Sequence, residues 1–247
     1  MPDTITKPDF RRVGHKGAHA ISPGNTIESF DAALAAGVDM IEFDILPRNP
    51  RDPTSELVLA HDGGDLTSGR PLVGLAEALA HFSASHYEGI ELDVDLKLPN
   101  YEVRVAEQIR DYGLTDRVLV TSMYAESLDA VRALIPEMRV GWSVPKASRD
   151  WTQNPLTLLP ALAMLTYLRT VLPGRVAERI RSGRIDCVMS HYLFATKRMK
   201  DAVEAAGGEL FVWTVDDAKR IQSLIELGVD GIITNDPRLF DNLPISR

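Results

Sequence analysis

Two short apolar segments of the chain each end in a histidine and lead into a glycine-containing turn. His15 is followed by Lys16 and Gly17, and His61 is followed by Asp62 and two glycines. A single histidine in such a place is more often structural than catalytic. Two of them can act as general acid and general base, because imidazole titrates near neutral pH. The spacing alone does not decide between these interpretations, so the acidic residues of the chain carry the argument.

Acidic and apolar residues alternate in two further strand-like segments. Glu42 and Asp44 share one face of the first strand, and Asp93 and Asp95 share a face with Lys97 in the second. Carboxylates that are buried close together oppose each other's ionisation, so their burial requires a counterion. Oxygen donors without cysteine suit one divalent cation, Mg²⁺ or Ca²⁺. The structural alternative is a set of buried salt bridges to Lys97 and nearby arginines.

Short apolar strands alternate with amphipathic helices along the 247 residues, which predicts an α/β fold. Eight such repeats fit a single-domain (β/α)8 TIM barrel, and the glycine-rich phosphate loop of a doubly wound sheet is missing from the sequence. The predicted strands are Arg12–Gly17, Met40–Leu46, Gly89–Leu96, Val118–Ser122, Arg139–Val144, Asp186–His191, Glu209–Val215 and Gly231–Asn235. The predicted helices are Thr26–Ala36, Leu75–Phe82, Tyr101–Tyr112, Glu126–Leu134, Leu156–Val171, Thr196–Ala206 and Asp217–Leu227.

The barrel predicts where the polar residues lie. Reactive side chains in such barrels cluster at the carboxyl ends of the strands, where the histidines and carboxylates described above fall. Leu57–His61 is expected to form an extra strand beside the second strand rather than a member of the barrel. Residues 1–10 are expected to form a flexible tail and residues 11–247 the barrel domain. His19, His81 and His86 lie in loop or helix-surface contexts and are expected to stand apart from the site.

Composition excludes several classes of protein. The net charge of −8 argues against a nucleic-acid partner, because such binders need a basic surface. The amino-terminal segment has no apolar core of a secretion signal, and the uncharged stretch Thr152–Leu168 falls short of a membrane span. We therefore expect a cytoplasmic protein that acts on a small molecule. The lone cysteine, Cys187, lies in an apolar strand and is expected to be buried.

The motifs, taken in order, resemble the glycerophosphodiester phosphodiesterase family of the PLC-like phosphodiesterase superfamily. The resemblance begins with VGHKGAHAISPGNTIESFDAALAAGVDMIEFDI and continues through LAHD and DVDLK. It ends with FVWTVDD and GVDGIITNDP. The resemblance implies a TIM barrel that hydrolyses small glycerophosphodiesters, with a divalent cation, to glycerol 3-phosphate and an alcohol.

The resemblance also implies roles for single residues. His15 and His61 correspond to the acid–base pair. The implied ligands of the cation are Glu42, Asp44 and Asp95. The implied contacts of the phosphate are Lys16 and Lys97, and Trp213 is implied to line the substrate pocket. Reasoning from strand alternation alone leaves Asp93 as a competitor for the third ligand position, and Trp213 could instead be a core residue.

Four departures from the family pattern leave the substrate open. Lys16 replaces an arginine, Gly24 replaces a glutamate, Asp95 replaces a glutamate, and the insertion after the second strand is much reduced. Two alternatives follow: a lysophospholipase D or sphingomyelinase D-like enzyme in transient contact with a lipid, and a non-catalytic barrel that binds a phosphorylated ligand. The sequence does not decide between Mg²⁺ and Ca²⁺, between attack by a substrate hydroxyl and by water, or between oligomeric states.

Overall fold

Eight parallel strands form a closed barrel in the computed structural model, which describes residues 10–145 and 155–241. The strands are β1 (Arg11–Gly14), β2 (Met40–Pro47), β4 (Glu91–Leu96), β5 (Val118–Ser122), β6 (Arg139–Val144), β7 (Cys187–His191), β8 (Glu209–Trp213) and β9 (Gly231–Thr234). The first strand pairs with both β2 and β9, which closes the sheet. The extra strand β3 (Leu57–Leu59) pairs antiparallel with β2. The predicted (β/α)8 barrel is confirmed, and the extra strand stands outside it as predicted, its antiparallel direction being a finding of the structure.

Helices connect the strands on the outside of the barrel. They are α1 (Ile27–Ala35), α2 (Gly63–Thr67), α3 (Leu75–Phe82), α4 (Glu102–Asp111), α5 (Ala125–Leu134), α6 (Pro155–Arg181), α7 (Lys197–Glu204) and α8 (Ala218–Leu227). Thr26 begins α1 with a capping box, and Gly228 ends α8 in the left-handed conformation. Within the described part of the chain, none of these helices is both long and apolar enough to cross a membrane.

The sixth helix is longer than predicted. The sequence analysis ended it at Val171, before Pro173 and Gly174, but the helix continues to Arg181. Its additional turns bury side chains at four-residue spacing: Leu172, Val176 and Ile180. Each buried side chain contributes about 1.5–3 kcal/mol, which together exceeds the cost of roughly 3 kcal/mol for one interior proline. Packing against the barrel therefore overrides the local helix-breaking signal.

Strand alternation divides the core into two parts. Ile41, Phe43 and Ile45 face the helices and belong to the large core between the sheet and the helical layer. Met40 faces the inside of the barrel, where it packs in an apolar layer with Phe211. Cys187, buried as expected, lies in the same layer. The alternation that turns Phe43 outward directs the neighbouring acidic side chains of β2 into the barrel.

The amino-terminal end of the barrel is closed by four charged side chains of alternating sign. Arg11, Glu91, Arg139 and Glu209 are the first residues of their strands. Arg11 contacts the carboxylates of Glu91 at 3.1 Å and Glu209 at 2.8 Å. Arg139 contacts the same two carboxylates at 2.7 and 2.6 Å. Each carboxylate thus contacts two guanidinium groups. We call this ring of four side chains the basal quartet, and its two positive charges balance its two negative charges.

Candidate functional site

A cavity of about 140 Å³ opens at the carboxyl-terminal end of the barrel, opposite the basal quartet. Its lining includes most of the residues singled out by the sequence analysis: His15, Glu42, His61, Asp93, Asp95, Lys97 and Trp213. Asp44 lies beneath them and is fully buried, and the ammonium group of Lys16 lies 3.7 Å from it. The structure therefore brings the predicted site residues together from distant parts of the chain.

The loop after β1 has an unusual backbone. The prediction continued this strand to Gly17, but the strand ends at Gly14 because Lys16 (φ 52°) and Gly17 (φ 82°) adopt left-handed conformations. A Cβ atom at Gly17 would lie only 2.6 Å from backbone atoms of Ser29 in α1, so only glycine fits there. The tight turn fixes His15 at the mouth of the barrel.

Gly24 lies against the same loop. At this position the family that the chain resembles has a glutamate. A Cβ atom at this position would lie 2.8 Å from Cβ of Lys16 and 2.7 Å from Nδ1 of His19. Both distances are shorter than nonbonded atoms tolerate, so a glutamate does not fit while Lys16 and His19 hold these positions. In this chain the position of Gly24 is therefore packed closely against the loop after β1.

Three carboxylates converge beneath the cavity. Glu42, Asp44 and Asp95 each place one oxygen within 4.8 Å of the others. The register of the sheet causes this, because Asp44 on β2 is the direct neighbour of Asp95 on β4. Asn25 fixes Asp44 from the side: its amide nitrogen donates to Asp44 Oδ2 at 2.9 Å, and its amide oxygen accepts from the Asp44 backbone at 3.1 Å.

Lys97 lies between two of these carboxylates. Its ammonium nitrogen is 2.5 Å from both Asp44 Oδ1 and Asp95 Oδ2. Burial opposes the charge of Lys97, but Asp44 and Asp95 outweigh it and raise the lysine pKa. Burial likewise opposes ionisation of Asp44, yet Lys97 and Lys16 hold its pKa well below the usual range. In contrast, burial raises the pKa of Glu42 and of Asp95.

The carboxylates outnumber the cations that could neutralise them. Two ammonium groups, from Lys16 and Lys97, face four acids at the base of the cavity: Glu42, Asp44, Asp93 and Asp95. Oδ1 of Asp95 is buried and has no hydrogen-bond partner within the described residues. An unsatisfied buried carboxylate oxygen is costly unless a cation is bound to it. The donor set therefore fits a hard divalent cation.

Asp93, the competitor for the third ligand position, is differently placed. It is the register neighbour of Glu42, one step deeper in the barrel, and its Oδ1 accepts a hydrogen bond of 2.6 Å from Thr121. Burial, with the nearby charge of Asp95, raises the pKa of Asp93 to about 8. One oxygen from each of Glu42, Asp44 and Asp95 lies within 4.8 Å of the others, so the geometry favours Asp95 as the third carboxylate.

Hydrogen bonds fix the orientation of the His15 ring. Its Nδ1 lies 2.6 Å from Oδ1 of Asn235, whose amide nitrogen donates to Asp216 at 2.6 Å. This arrangement makes the Asn235 oxygen the acceptor and places a proton on Nδ1. The other ring nitrogen, Nε2, is then unprotonated and lies 3.8 Å from Glu42. Burial lowers the pKa of His15 to about 4, so the ring is neutral at physiological pH.

His61 occupies a more open position, in the turn that follows β3. Its side chain is 44% exposed, and its Nδ1 lies 3.1 Å from the Asp62 carboxylate. The hydrogen bond from His61 holds the pKa of Asp62 below its usual value, so this partner is ionised. The His61 backbone nitrogen donates to Asp65, which also pairs with Arg70 at 3.2 Å. Arg70 in turn donates to the carbonyl of Gly24, which ties this turn to the loop after β1.

Trp213, the last residue of β8, forms one wall of the cavity. Its indole nitrogen donates to the Met189 carbonyl at 2.8 Å, which fixes the ring. The ring of His191 meets it edge to face, with centroids 5.2 Å apart. His191 therefore packs against the wall of the cavity through Trp213, away from the carboxylate cluster.

The sequence analysis gave no role to several residues that position the site. Asn25 and Asn235 lie within the segments PGNT and TNDP, so the signal was present in the quoted motifs. Asp216, in the segment TVDD, orients Asn235, and Thr121 binds Asp93. Their partners lie 19 to 220 residues away in the chain, and only the register of the barrel brings them together.

Known proteins resemble this chain over nearly its full length. A family model described as the glycerophosphoryl diester phosphodiesterase family matches residues 15–62 and 86–239. A glycerophosphodiester phosphodiesterase of Caldanaerobacter subterraneus subsp. tengcongensis is 25% identical, over 94% of this chain and 96% of that protein. One from Bacillus altitudinis is 26% identical, over 90% of this chain and 93% of that protein. The interval between the matched parts, residues 63–85, follows His61.

Solved structures share the same architecture. A phosphodiesterase of Oleispira antarctica, determined in complex with the product sn-glycerol-3-phosphate, superposes with a TM-score of 0.69. The two sequences are 19% identical, and the match covers 94% of this chain and 95% of that one. At this level of identity the likeness establishes the fold.

Proposed function

The chain belongs to the glycerophosphoryl diester phosphodiesterase family, and we propose that it hydrolyses glycerophosphodiesters to glycerol 3-phosphate and an alcohol with the help of a divalent cation. The observation that carries this proposal is the convergence of two histidines and three carboxylates on one cavity. The product bound to the Oleispira antarctica relative supports the choice of substrate class.

Glu42, Asp44 and Asp95 are the residues that would hold the cation. When bound there, Mg²⁺ or Ca²⁺ would act as a Lewis acid on the negative charge that develops on a phosphoryl oxygen. The lysines hold the remaining charge: Lys97 contacts two of the ligands, and Lys16 reaches the edge of the same cluster. Each could contact a second phosphoryl oxygen, and Trp213 would pack against the substrate.

The two histidines divide the proton transfers between them. His15 is buried and neutral, with its Nε2 lone pair facing the site, so it suits the general base that accepts the proton of the attacking hydroxyl. His61 lies at the more open side of the cavity, and the Asp62 carboxylate, 3.1 Å from its Nδ1, orients the ring, so it suits the general acid. As the phosphorus–oxygen bond to the alcohol breaks, the proton of His61 passes to the departing oxygen. The scheme holds for attack by a substrate hydroxyl and by water.

Replacement of Asn235 by alanine is expected to lower kcat without a matching rise in KM. Asn235 acts through His15: it fixes the protonated Nδ1 and stabilises the charge that the ring gains during the reaction. A hydrogen bond to a charged group contributes about 1.5–3 kcal/mol, which corresponds to a loss of roughly 10- to 100-fold in kcat. Steady-state kinetics measure the effect. Asn235→Asp retains an acceptor and should keep more activity, and equal losses in both variants would contradict the positioning role.

The direct test of the proposed function is turnover of glycerophosphocholine. The purified protein, supplied with Mg²⁺ or Ca²⁺, is expected to release choline and glycerol 3-phosphate. Lysophosphatidylcholine, assayed in parallel, should show a lower kcat/KM. Asp44→Asn provides the matched control for contaminating activity, because it changes one buried carboxylate into an amide of the same shape.

A lysophospholipase D or sphingomyelinase D-like activity is the competing proposal. The observation in its favour is an exposed apolar surface on α6, where Leu162, Met164 and Tyr167 are 48%, 56% and 55% exposed. The short segment after His61 also leaves His61 open to solvent. A higher kcat/KM for the lysophospholipid would establish this alternative, and binding of both diesters without turnover would establish the non-catalytic one.

A further inference from the structure

A second group of metal-binding side chains lies on the outside of the barrel. Asp31 of α1, His81 of α3 and His86, in the turn before β4, each offer one ligand atom within 4.8 Å of the others. None of them lines the cavity at the mouth of the barrel. Asp31 is separated from the two histidines by 50 or more residues of sequence, so no sequence motif indicates the group.

Contacts within the group hold its side chains close to one another. His81 Nε2 lies 2.9 Å from Asp31 Oδ1, and the buried Tyr87 donates its hydroxyl to the same oxygen at 2.7 Å. The rings of His81 and His86 are 5.9 Å apart with planes inclined by 77°. Ligating carboxylates are commonly held by such an outer hydrogen bond, which fixes the direction of the lone pairs. The arrangement is thus a ligand set with its own supporting contact.

The hydrogen bonds at Asp31 show which proton a metal ion would replace. The Tyr87 hydroxyl and Nε2 of His81 both lie within hydrogen-bond distance of Asp31 Oδ1. The proton that Nε2 of His81 now shares with Asp31 is the one that a metal ion would displace.

We propose that Asp31, His81 and His86 bind a zinc ion on the outer surface of the barrel. Two imidazoles and one carboxylate are a donor set that zinc accepts, and the exposure of Asp31 and His86 leaves room for water as the fourth ligand. The donors differ in kind from the oxygen cluster beneath the cavity, which suits a hard cation. The two sites therefore select different metals.

A zinc ion here would join two parts of the fold. It would connect α1, which follows the His15 loop, with α3 and the turn that leads into β4. The helix α3, which lies within residues 63–85 between the two parts that match the family model, would be fastened to α1 in this way.

Zinc titration of the chelator-treated full chain tests the proposal. We expect His86→Gln to bind one zinc equivalent fewer than the wild type, or to bind it roughly 100-fold more weakly, because loss of a ligand costs at least as much as loss of an outer contact. His19→Gln, which removes another exposed histidine, should bind zinc as the wild type does. Zinc at 100 times its Kd should raise Tm by about 5–10 °C in the wild type and less in His86→Gln.

A crystal soaked with zinc gives a second readout that does not depend on a variant. An anomalous peak between Asp31, His81 and His86 is the expected result. Absence of that peak, or equal zinc binding by His86→Gln and His19→Gln, would overturn the proposal. Neither measurement involves turnover of a diester, so its outcome is independent of the proposed function.

Discussion

Removal of divalent cations with EDTA is expected to abolish the hydrolysis of glycerophosphocholine. Without a cation, burial raises the pKa of Glu42 and Asp95, and Lys97 remains paired with Asp44 and Asp95. The site then lacks the positive charge that stabilises the negative charge developing on the phosphoryl oxygens in the transition state. Initial rates before and after chelation measure the effect. Readdition of Mg²⁺ or Ca²⁺ should restore turnover.

The variants Asp44→Asn and Asp95→Asn separate the central cluster from other metal sites. Each should raise the cation concentration needed for half-maximal activity and lower the maximal rate. If a high concentration of Mg²⁺ or Ca²⁺ restores activity to these variants, the loss of activity is due to weaker binding at the central carboxylates. The two-histidine group on the outer surface is not expected to respond to these cations, because imidazole ligands favour softer metals. Full activity of the metal-free protein would show that the reaction does not depend on a divalent cation.

Alanine at His15 or at His61 is expected to lower kcat by roughly 10²–10⁴-fold, the range for loss of a general acid or base. The two effects should differ once the leaving group is changed. A nitrophenyl phosphodiester releases a weakly basic phenolate that needs little protonation. With this substrate the defect of His61→Ala should shrink, and the defect of His15→Ala should persist.

The comparison of leaving groups decides the assignment of roles. If His15→Ala were the variant rescued by the nitrophenyl substrate, His15 would be the acid and His61 the base. Wild-type kcat in either alanine variant would remove that histidine from the mechanism. Circular dichroism of both variants controls for folding, which matters most for the buried His15.

The alternation of residues in two strands was enough to predict which acidic side chains point into the barrel. Glu42 and Asp44 point into the barrel because Phe43 and its apolar neighbours pack on the helices, and this rule acts within a single strand. The same rule placed Asp93 and Asp95 on one face but could not choose between them. That choice depends on pairing between β2 and β4, which sets Asp95 beside Asp44.

Contacts between remote segments could not be predicted from the sequence. Asn235 reaches His15 because β9 pairs with β1, a consequence of barrel closure rather than of any local pattern. The early end of β1 also escaped prediction, since it results from the left-handed conformation of Lys16, a residue type that rarely adopts it. Local patterns thus predict which residues face inward, and closure of the sheet decides which of them meet.

The basal quartet has a consequence for how substrate enters the barrel and how products leave it. One end is sealed by charges that satisfy each other, so in the part of the chain that the structure describes the cavity opens at the other end. A diester must enter, and both fragments must leave, along the same short path. We therefore expect glycerol 3-phosphate that stays bound at the carboxylate cluster to compete with the next diester for the cavity.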